Sequence, residues 1–338
     1  MILETALLAV ELELENQCAQ IAGPMLEVCR YAVQGGRRMR ASLLLSAAKD
    51  IDDNAVRAAT AIELLHSATL LQDDIFDAGV LRRGRTAAYV QFGRALTILA
   101  SDWLLIRSLE MAADLHPHFF RCMARAGTVM AQAEAQELEP PALRSLEDAR
   151  QYGFRIAEGK TAALFQAALC GAAMVQGLSV TDSESWEQIG LRMGLTYQIL
   201  DDCTDVYGSE SAAGKNVGAD LARGCLTMPV LLAVSLLDQR GTHIPLAALQ
   251  ADQVRQPEMS LLQTTLHTAE VKCGLSELLG QRLASHRSDA KTAGLPMAAI
   301  DDCFDDMRSI LSLLQPTEPV DTQEPCGPLS FPHARCFV

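Results

Sequence analysis

Aromatic residues are scarce in this chain. They make up 5% of it against 49% hydrophobic residues overall, so its apolar bulk rests on Ala and Leu. Those two residues lead the helix scale, whereas strands draw on β-branched and aromatic side chains. No alternating apolar–polar pattern persists, and a sheet has no support. Basic charge is short as well. Lys plus Arg total 28 and Asp plus Glu 42, a net charge of -14, which argues against nucleic acid as a partner because backbone binding needs a concentrated basic surface. Long hydrophobic runs are missing too. The stretch 161–175 comes nearest, but it is rich in Ala and Gly and contains Gln166. A spanning helix needs roughly 20 apolar residues, so this one is predicted to be buried and no transmembrane segment is expected. The start, Met1-Ile2-Leu3-Glu4, lacks the basic region and cleavage site of a secretory signal. The 10 cysteines are scattered without metal-site spacing. Both features predict a cytoplasmic protein with reduced thiols.

What remains is helical periodicity, over about 1–33, 52–75, 87–113, 118–137, 143–157, 160–177, 183–206, 227–238, 260–286 and 296–313. Gly- and Pro-containing breaks separate these runs, and none resembles an interdomain linker. The expected fold is all-α: one large single-domain bundle over residues 1–315, its central helices surrounded on all sides. A proline-containing tail follows at 316–338.

Two aspartate clusters of identical spacing close two of the helical runs, Asp73-Asp74-x-x-Asp77 and Asp201-Asp202-x-x-Asp205. Each crowds three carboxylates into one turn, and like charges at i,i+4 repel by a few tenths of a kcal/mol. Mg²⁺ ions shared between facing clusters would reverse that repulsion. Hard divalent cations take carboxylate oxygens and complete their shells with substrate phosphates. The pattern therefore suggests a diphosphate held between helices. Spacing alone does not make a metal site, since Asp301-Asp302-x-x-Asp305-Asp306 repeats it without a nearby basic loop and reads as a solvated helix face. Asp52-Asp53 reads as a helix start, where the dipole favours acids, and Cys203 as a small filler within the second cluster.

Cations follow the same logic. Gly79-Val80-Leu81-Arg82-Arg83-Gly84 puts Arg82 and Arg83 directly after the first cluster, where guanidinium forks can grip phosphate oxygens. Gly35-Gly36-Arg37-Arg38-Met39-Arg40 is a second basic turn, with Arg37 and Arg40 on one face of the next helix's first turn. Lys160 is expected to begin a helix whose free N–H groups could meet a phosphate. Lys215 adds a cation beyond the second cluster. His66 lies two turns before Asp73 on roughly the same face, with a satisfied core histidine as the competing reading.

Taken in order, these motifs resemble the all-trans isoprenyl (polyprenyl) diphosphate synthases. The match includes His66-x6-Asp73-Asp74-x-x-Asp77, Leu81-Arg82-Arg83-Gly84, Gly159-Lys160-Thr161, Tyr197-Gln198-x-x-Asp201-Asp202-x-x-Asp205 and Gly214-Lys215-Asn216-x-Gly218-x-Asp220-Leu221. The resemblance implies a central active-site cavity in the bundle and a Mg²⁺-dependent, chain-elongating prenyltransferase that condenses an allylic diphosphate with isopentenyl diphosphate. It assigns Asp73, Asp74, Asp77, Asp201, Asp202 and Asp205 to three Mg²⁺ ions, and Arg82, Lys160 and Lys215 to the allylic diphosphate. Arg37, Arg40, His66 and Arg83 go to isopentenyl diphosphate, with Gln198 and Thr161 lining the reacting region. It also implies a homodimer. Small Ala68 and Thr69 before the first cluster imply a product of C20 or longer, with Met111, Phe119, Phe120 or Met123 as a deeper floor. Arg37 and Cys225 stand where lysine is common in the family, and Ala41 where proline is. A catalytically silent partner subunit and a class I terpene cyclase are the alternatives; the cyclase's second Asn/Ser/Glu motif is absent.

Overall fold

The structure is a computed structural model and describes residues 2–82, 84–208, 219–250, 254 and 256–314. Within these residues the chain divides into two compact units. The first comprises Met1–Pro140, Arg155–Gln198 and Ser285–Asp306, and the second Pro141–Phe154, Ile199–Ala284 and Met307–Val338.

The first unit opens with α1 (Ile2–Cys18), α2 (Met25–Val33) and α3 (Met39–Ala47), followed by the long α4 (Asp53–Phe76). The periodic run expected over 1–33 is thus broken, at a turn where Gly23 takes a positive φ and Pro24 precedes α2. Asp52 caps α4, its Oδ1 accepting from the Ala55 amide at 2.9 Å. A two-residue hairpin, β1 (Leu81–Arg82) with β2 (Arg85–Thr86), precedes α5 (Ala88–Phe92), α6 (Arg94–Leu115) and α7 (Pro117–Leu138). The sequence pattern gave no sign of this hairpin because it is too short for an alternation to register. Further on, α8 (Leu146–Ala157), which belongs to the second unit as far as Phe154, passes through a π-helical turn, Glu158–Ala162, into α9 (Ala163–Val175), and α10 (Val180–Tyr207) follows.

Small side chains let these helices approach closely. In α9 every residue from Ala163 to Met174 except Gln166 is buried, so the most apolar run in the chain is a central core helix. No described helix is long and apolar enough to cross a membrane. On α10, a Cβ at Gly190 would lie 2.6 Å from the Phe165 carbonyl oxygen, and one at Gly194 2.5 Å from the Ala162 Cα. Glycine is required at both positions because another backbone occupies the space. Along α4, which packs on α6, Ala55, Ala58, Ala59, Ala61, Ile62, Leu64, Leu65 and Ala68 are fully buried.

The second unit contains the end of α10, then α11 (Ala219–Ala222), α12 (Met228–Gln239), α13 (Leu246–Gln250), α14 (Gln256–Leu266) and most of α15 (Ala269–Thr292). The last helix, α16 (Met297–Leu313), contributes to both units. Within the second unit α12 packs on α14, and Gly224 turns with φ 72° where a Cβ would strike the Leu249 carbonyl at 2.4 Å. The expected tail, 316–338, lies outside the described residues.

Candidate active site

The first acid cluster sits where α4 stops. Asp73 is partly buried, Asp74 buried, and Asp77 exposed just beyond the last turn. The helix closes with Ala78 in the left-handed region, φ 50°, and the Gly79 amide donating back to the Asp74 carbonyl at 3.2 Å. That is the Schellman geometry, with alanine at a position usually held by glycine. The chain then enters the hairpin, which is fastened to α2. Tyr31 Oη donates to the Thr86 carbonyl at 2.6 Å, and the Arg85 guanidinium lies 3.8 Å from the Tyr31 ring centre. So fixed, β1 brings Arg82 onto the cluster, with Nε 2.7 Å from Asp74 Oδ1 and Nη2 3.8 Å from Asp73 Oδ2.

Lys160 belongs to the same group. Its ammonium pairs with Glu134 at 2.7 Å and with Glu137, both on α7. Burial pushes the Asp73 carboxyl up to about 7, opposed by the positive charge of Lys160 and then reinforced by the negative charge of Glu134; Arg82 lowers it. The Lys160 ammonium is in turn held well above the ordinary lysine range, burial being outweighed by Glu137, Glu134 and Asp73. A partly buried carboxylate that resists ionisation has a use for further positive charge. Its neighbours at this end of α4 offer hard oxygen donors, the set that suits Mg²⁺. Glu134 and Glu137 were not singled out from the sequence. Their i,i+3 spacing on α7 was legible, but their proximity to Lys160 is tertiary.

One expectation needs correcting. Lys160 does not begin a helix with free N–H groups, because α8 runs through the π turn into α9 without a break. The segment has no proline or capping side chain to interrupt it, and the extra residue is absorbed as a wider turn, a feature frequent at functional sites. Gly159 is needed there for proximity, since a Cβ would fall 2.3 Å from Ala133 Cβ on α7. On the adjacent residue, Thr161 Oγ1 donates to Gln198 Oε1 at 2.6 Å.

A second group of predicted residues also converges. Arg40 Nη1 is 3.2 Å from His66 Nε2, and the Arg40 guanidinium stands 5.3 Å from the Phe165 ring centre. Arg37 Nη2 donates to Tyr197 Oη at 2.8 Å, and the Phe165 and Tyr197 rings lie 5.3 Å apart. His66 and Asp73 are two turns apart on α4, about 10 Å along its axis. Between Arg37 and Arg40, Arg38 does a different job. It is buried with φ 50°, pairs with Glu11 at 2.6 Å and Glu63 at 3.1 Å, and also donates to the Val33 carbonyl. The sequence reading missed this. A lone glutamate in the apolar part of α4 was the available signal.

In the second unit Asp202 and Asp205 are buried and Asp201 is partly buried. Asp205 Oδ2 accepts from the Asp220 amide at 3.2 Å, and Asp220 pairs with Arg223 at 2.7 Å. Cys203, between the acids, is fully buried with its thiol pushed well up by desolvation, as a filler should be. Arg83 and Lys215 lie outside the described residues. In the third acid run Asp301 pairs with Arg287 at 2.8 Å and Asp302 accepts from Ser46 at 2.8 Å. Of the proposed floor residues, Met111, Phe119 and Met123 are fully buried, but Phe120 is exposed. Consecutive helical residues diverge by about 100°, so Phe119 and Phe120 cannot share one face.

This helical scaffold is similar to solved structures over nearly its whole length, and the likeness gives the fold class. The decaprenyl diphosphate synthase from Rhodobacter capsulatus matches with a TM-score of 0.77 and 26% identity, covering 93% of this chain and 98% of that one. The polyprenyl synthase from Caulobacter crescentus CB15, complexed with calcium and isoprenyl diphosphate, matches with a TM-score of 0.76 and 24% identity, covering 93% and 96%. The all-α expectation therefore holds. Residues 24–261 match the model of the polyprenyl synthetase family, and the chain belongs to it. It is 30% identical over 265 residues to the octaprenyl diphosphate synthase of Escherichia coli (strain K12), 77% of this chain and 80% of that one. With the octaprenyl diphosphate synthase of Haemophilus influenzae it shares 35% identity over 209 residues, 60% of this chain and 63% of the relative, which is less than two thirds of that protein.

Proposed function

We propose that this chain is a chain-elongating prenyltransferase that joins an allylic diphosphate to isopentenyl diphosphate and releases an all-trans product of C20 or longer. The observation that carries this reading is the gathering of Asp73, Asp74, Arg82 and Lys160 at one end of α4, with Arg37, Arg40 and His66 about 10 Å further along it. An acid-rich station suited to metal ions and a basic station, spaced along one helix, suit two substrates that each carry a diphosphate.

In this mechanism Asp73, Asp74, Asp77, Asp201, Asp202 and Asp205 would hold up to three Mg²⁺ ions for the allylic head group, and such ions would supply positive charge toward the departing diphosphate. Arg82, Lys160 and Lys215 add fixed positive charge aimed at the same oxygens, the electrostatic stabilisation that dominates many enzymatic barriers. Glu134 and Glu137 keep Lys160 protonated and in place until substrate arrives. Arg37, Arg40, Arg83 and His66 hold isopentenyl diphosphate so that its double bond meets the allylic cation, which water would otherwise trap. Thr161 Oγ1 donates to the Gln198 amide oxygen and so restrains that side chain, which is assigned to the reacting region. Released pyrophosphate is a suitable acceptor for the proton lost in condensation.

Ala68 and Thr69 leave room beside the first cluster for a growing chain, and Met111, Phe119 and Met123 supply buried bulk deeper in the unit. A homodimer in the cytoplasm is the expected form. Exposed Leu99 and Ile106, two turns apart on α6, offer an apolar face for a second copy. The decisive experiment supplies the purified chain with Mg²⁺, isopentenyl diphosphate and allylic starters of different length, followed by mass analysis. Longer prenyl diphosphates support the proposal. A cyclised hydrocarbon, or turnover only with a second kind of chain, overturns it.

A further inference from the structure

Away from the acid cluster, α7, α9 and α10 bring four ligand-type side chains to one point. His118, Cys122, Cys170 and Glu187 each offer one ligand atom, and the four atoms lie within 4.8 Å of one another. His118 and Cys122 are i,i+4 on α7 and therefore share a face. Cys170 is fully buried on α9, and Glu187 is buried on α10. His118 Nε2 is 2.8 Å from Glu187 Oε1 and 3.7 Å from Cys122 Sγ, and the two sulfurs are 2.9 Å apart. A zinc ion with bonds of 2.0–2.3 Å in a tetrahedral shell separates its ligand atoms by roughly 3.3–3.8 Å. The His118–Cys122 edge lies within that range, and the His118–Glu187 and Cys122–Cys170 edges are shorter by about 0.5–1 Å, so the ligands would spread by that much to admit the ion.

We propose that these residues form a structural Zn²⁺ site, with Cys122 Sγ, Cys170 Sγ, His118 Nε2 and Glu187 Oε1 as its ligands. Donor chemistry selects the ion. Two thiolates and an imidazole suit a borderline-soft metal, and are a poor match for Mg²⁺ or Ca²⁺, which take oxygen shells. Four protein ligands make a closed site, the structural rather than the catalytic form. Outer support is present too, since Ser183 Oγ donates to Glu187 Oε1 at 2.9 Å and fixes that carboxylate. Binding replaces the two thiol protons, which leave to solvent, and no redox change is involved. A simple disulfide between Cys122 and Cys170 would account for two of the four groups. It gives no reason for His118 and Glu187 to converge on the same sulfurs.

The site is separate from the diphosphate chemistry. Residues 118 and 134 are about 24 Å apart along α7, with Lys160 and Asp73 at the Glu134 end. Phe119, beside His118, is fully buried, and a Cβ at Gly171, beside Cys170, would lie 2.8 Å from its ring. Zinc here would clasp three helices around that ring.

The test uses the full-length protein, purified under reducing conditions with excess Mg²⁺ to fill carboxylate sites. Elemental analysis should find one zinc per chain. Stripped protein titrated with Co²⁺ should gain intense sulfur-to-cobalt charge-transfer absorption and tetrahedral visible bands. Cys122→Ser and Cys170→Ser should lose both, while Cys273→Ser keeps them. Stripping should lower Tm by several degrees, restored by one equivalent of Zn²⁺. If a cysteine variant does not fold, His118→Gln and the wild-type cobalt spectrum decide the matter. Substoichiometric zinc with no cobalt–thiolate band, a cobalt spectrum unchanged in the double cysteine variant, or a Cys122–Cys170 disulfide in the reduced preparation each overturns the proposal.

Discussion

Arg82 and Arg38 each face two carboxylates, yet the two neighbourhoods have opposite characters. Arg38 is closed in. Its side chain is 6% exposed and that of Glu63 3%, and Glu11 and a backbone carbonyl also accept from it. Arg82 is 36% exposed, reaches Asp74 and Asp73 from a hairpin, and has room to change partners. A buried arginine paired with two carboxylates fixes a backbone, in this case the left-handed turn that presents Arg37 and Arg40. A half-exposed one resting on crowded acids is available to an anion. Exposure and extent of pairing, more than residue type, separate the structural cation from the one proposed to meet substrate.

The contrast can be broken experimentally, most forcefully at the acids. Asp73→Ala should reduce kcat by on the order of 10³-fold, because it removes charge stabilisation where the leaving group departs. Its thermal transition should barely move, since it relieves a crowded and reluctant carboxylate. Substantial turnover, or a collapse in Tm, would remove Asp73 from the catalytic side of the comparison. At the structural arginine, Glu63→Ala should cost about 3–5 kcal/mol of stability by leaving Arg38 charged, buried and short of a partner. Urea unfolding measures this directly, and a loss below 1 kcal/mol would show that Glu11 alone suffices.

Arg82→Ala belongs on the functional side. It should lower kcat/KM for the allylic substrate by about 10²-fold, the scale of one lost charge-assisted contact in the transition state, with little change in the urea midpoint. A large stability loss instead would make Arg82 a second Arg38. The smallest effect is at the joint between α4 and the hairpin. Ala78→Gly should stabilise the chain by about 0.5–1 kcal/mol, because glycine occupies the left-handed position without a Cβ penalty. Calorimetry resolves that difference.

Much of this was legible in the residue order. The α4 run, its Asp52 cap, the buried 163–174 helix and the ordered acid and arginine motifs all follow from local spacing, and local spacing is what a sequence displays. Phe119 against Phe120 is a case where it sufficed only partly: both were candidates, and the helix's rotation per residue divides them. The failures share a cause. Glu134 and Glu137 matter through Lys160, Glu63 through Arg38, and His118 and Cys122 through Cys170 and Glu187, all partners distant in the chain. Judging the cysteines by spacing to other cysteines also concealed His118-x-x-x-Cys122, a pair that needs its other ligands from two further helices. The π turn was hidden for a different reason, because a widened helix keeps its composition and shifts only its phase.

That phase shift constrains how this chain could have been altered. One surplus residue between α8 and α9 turns everything downstream by about 100°. Removing it to restore a regular helix would carry Gly171 away from Phe119 and swing Phe165 off Arg40, the contacts that α9 makes with elements upstream of the turn. The irregularity can be lost only together with the entire interlock it aligns, so a single deletion there should be tolerated far less readily than most substitutions.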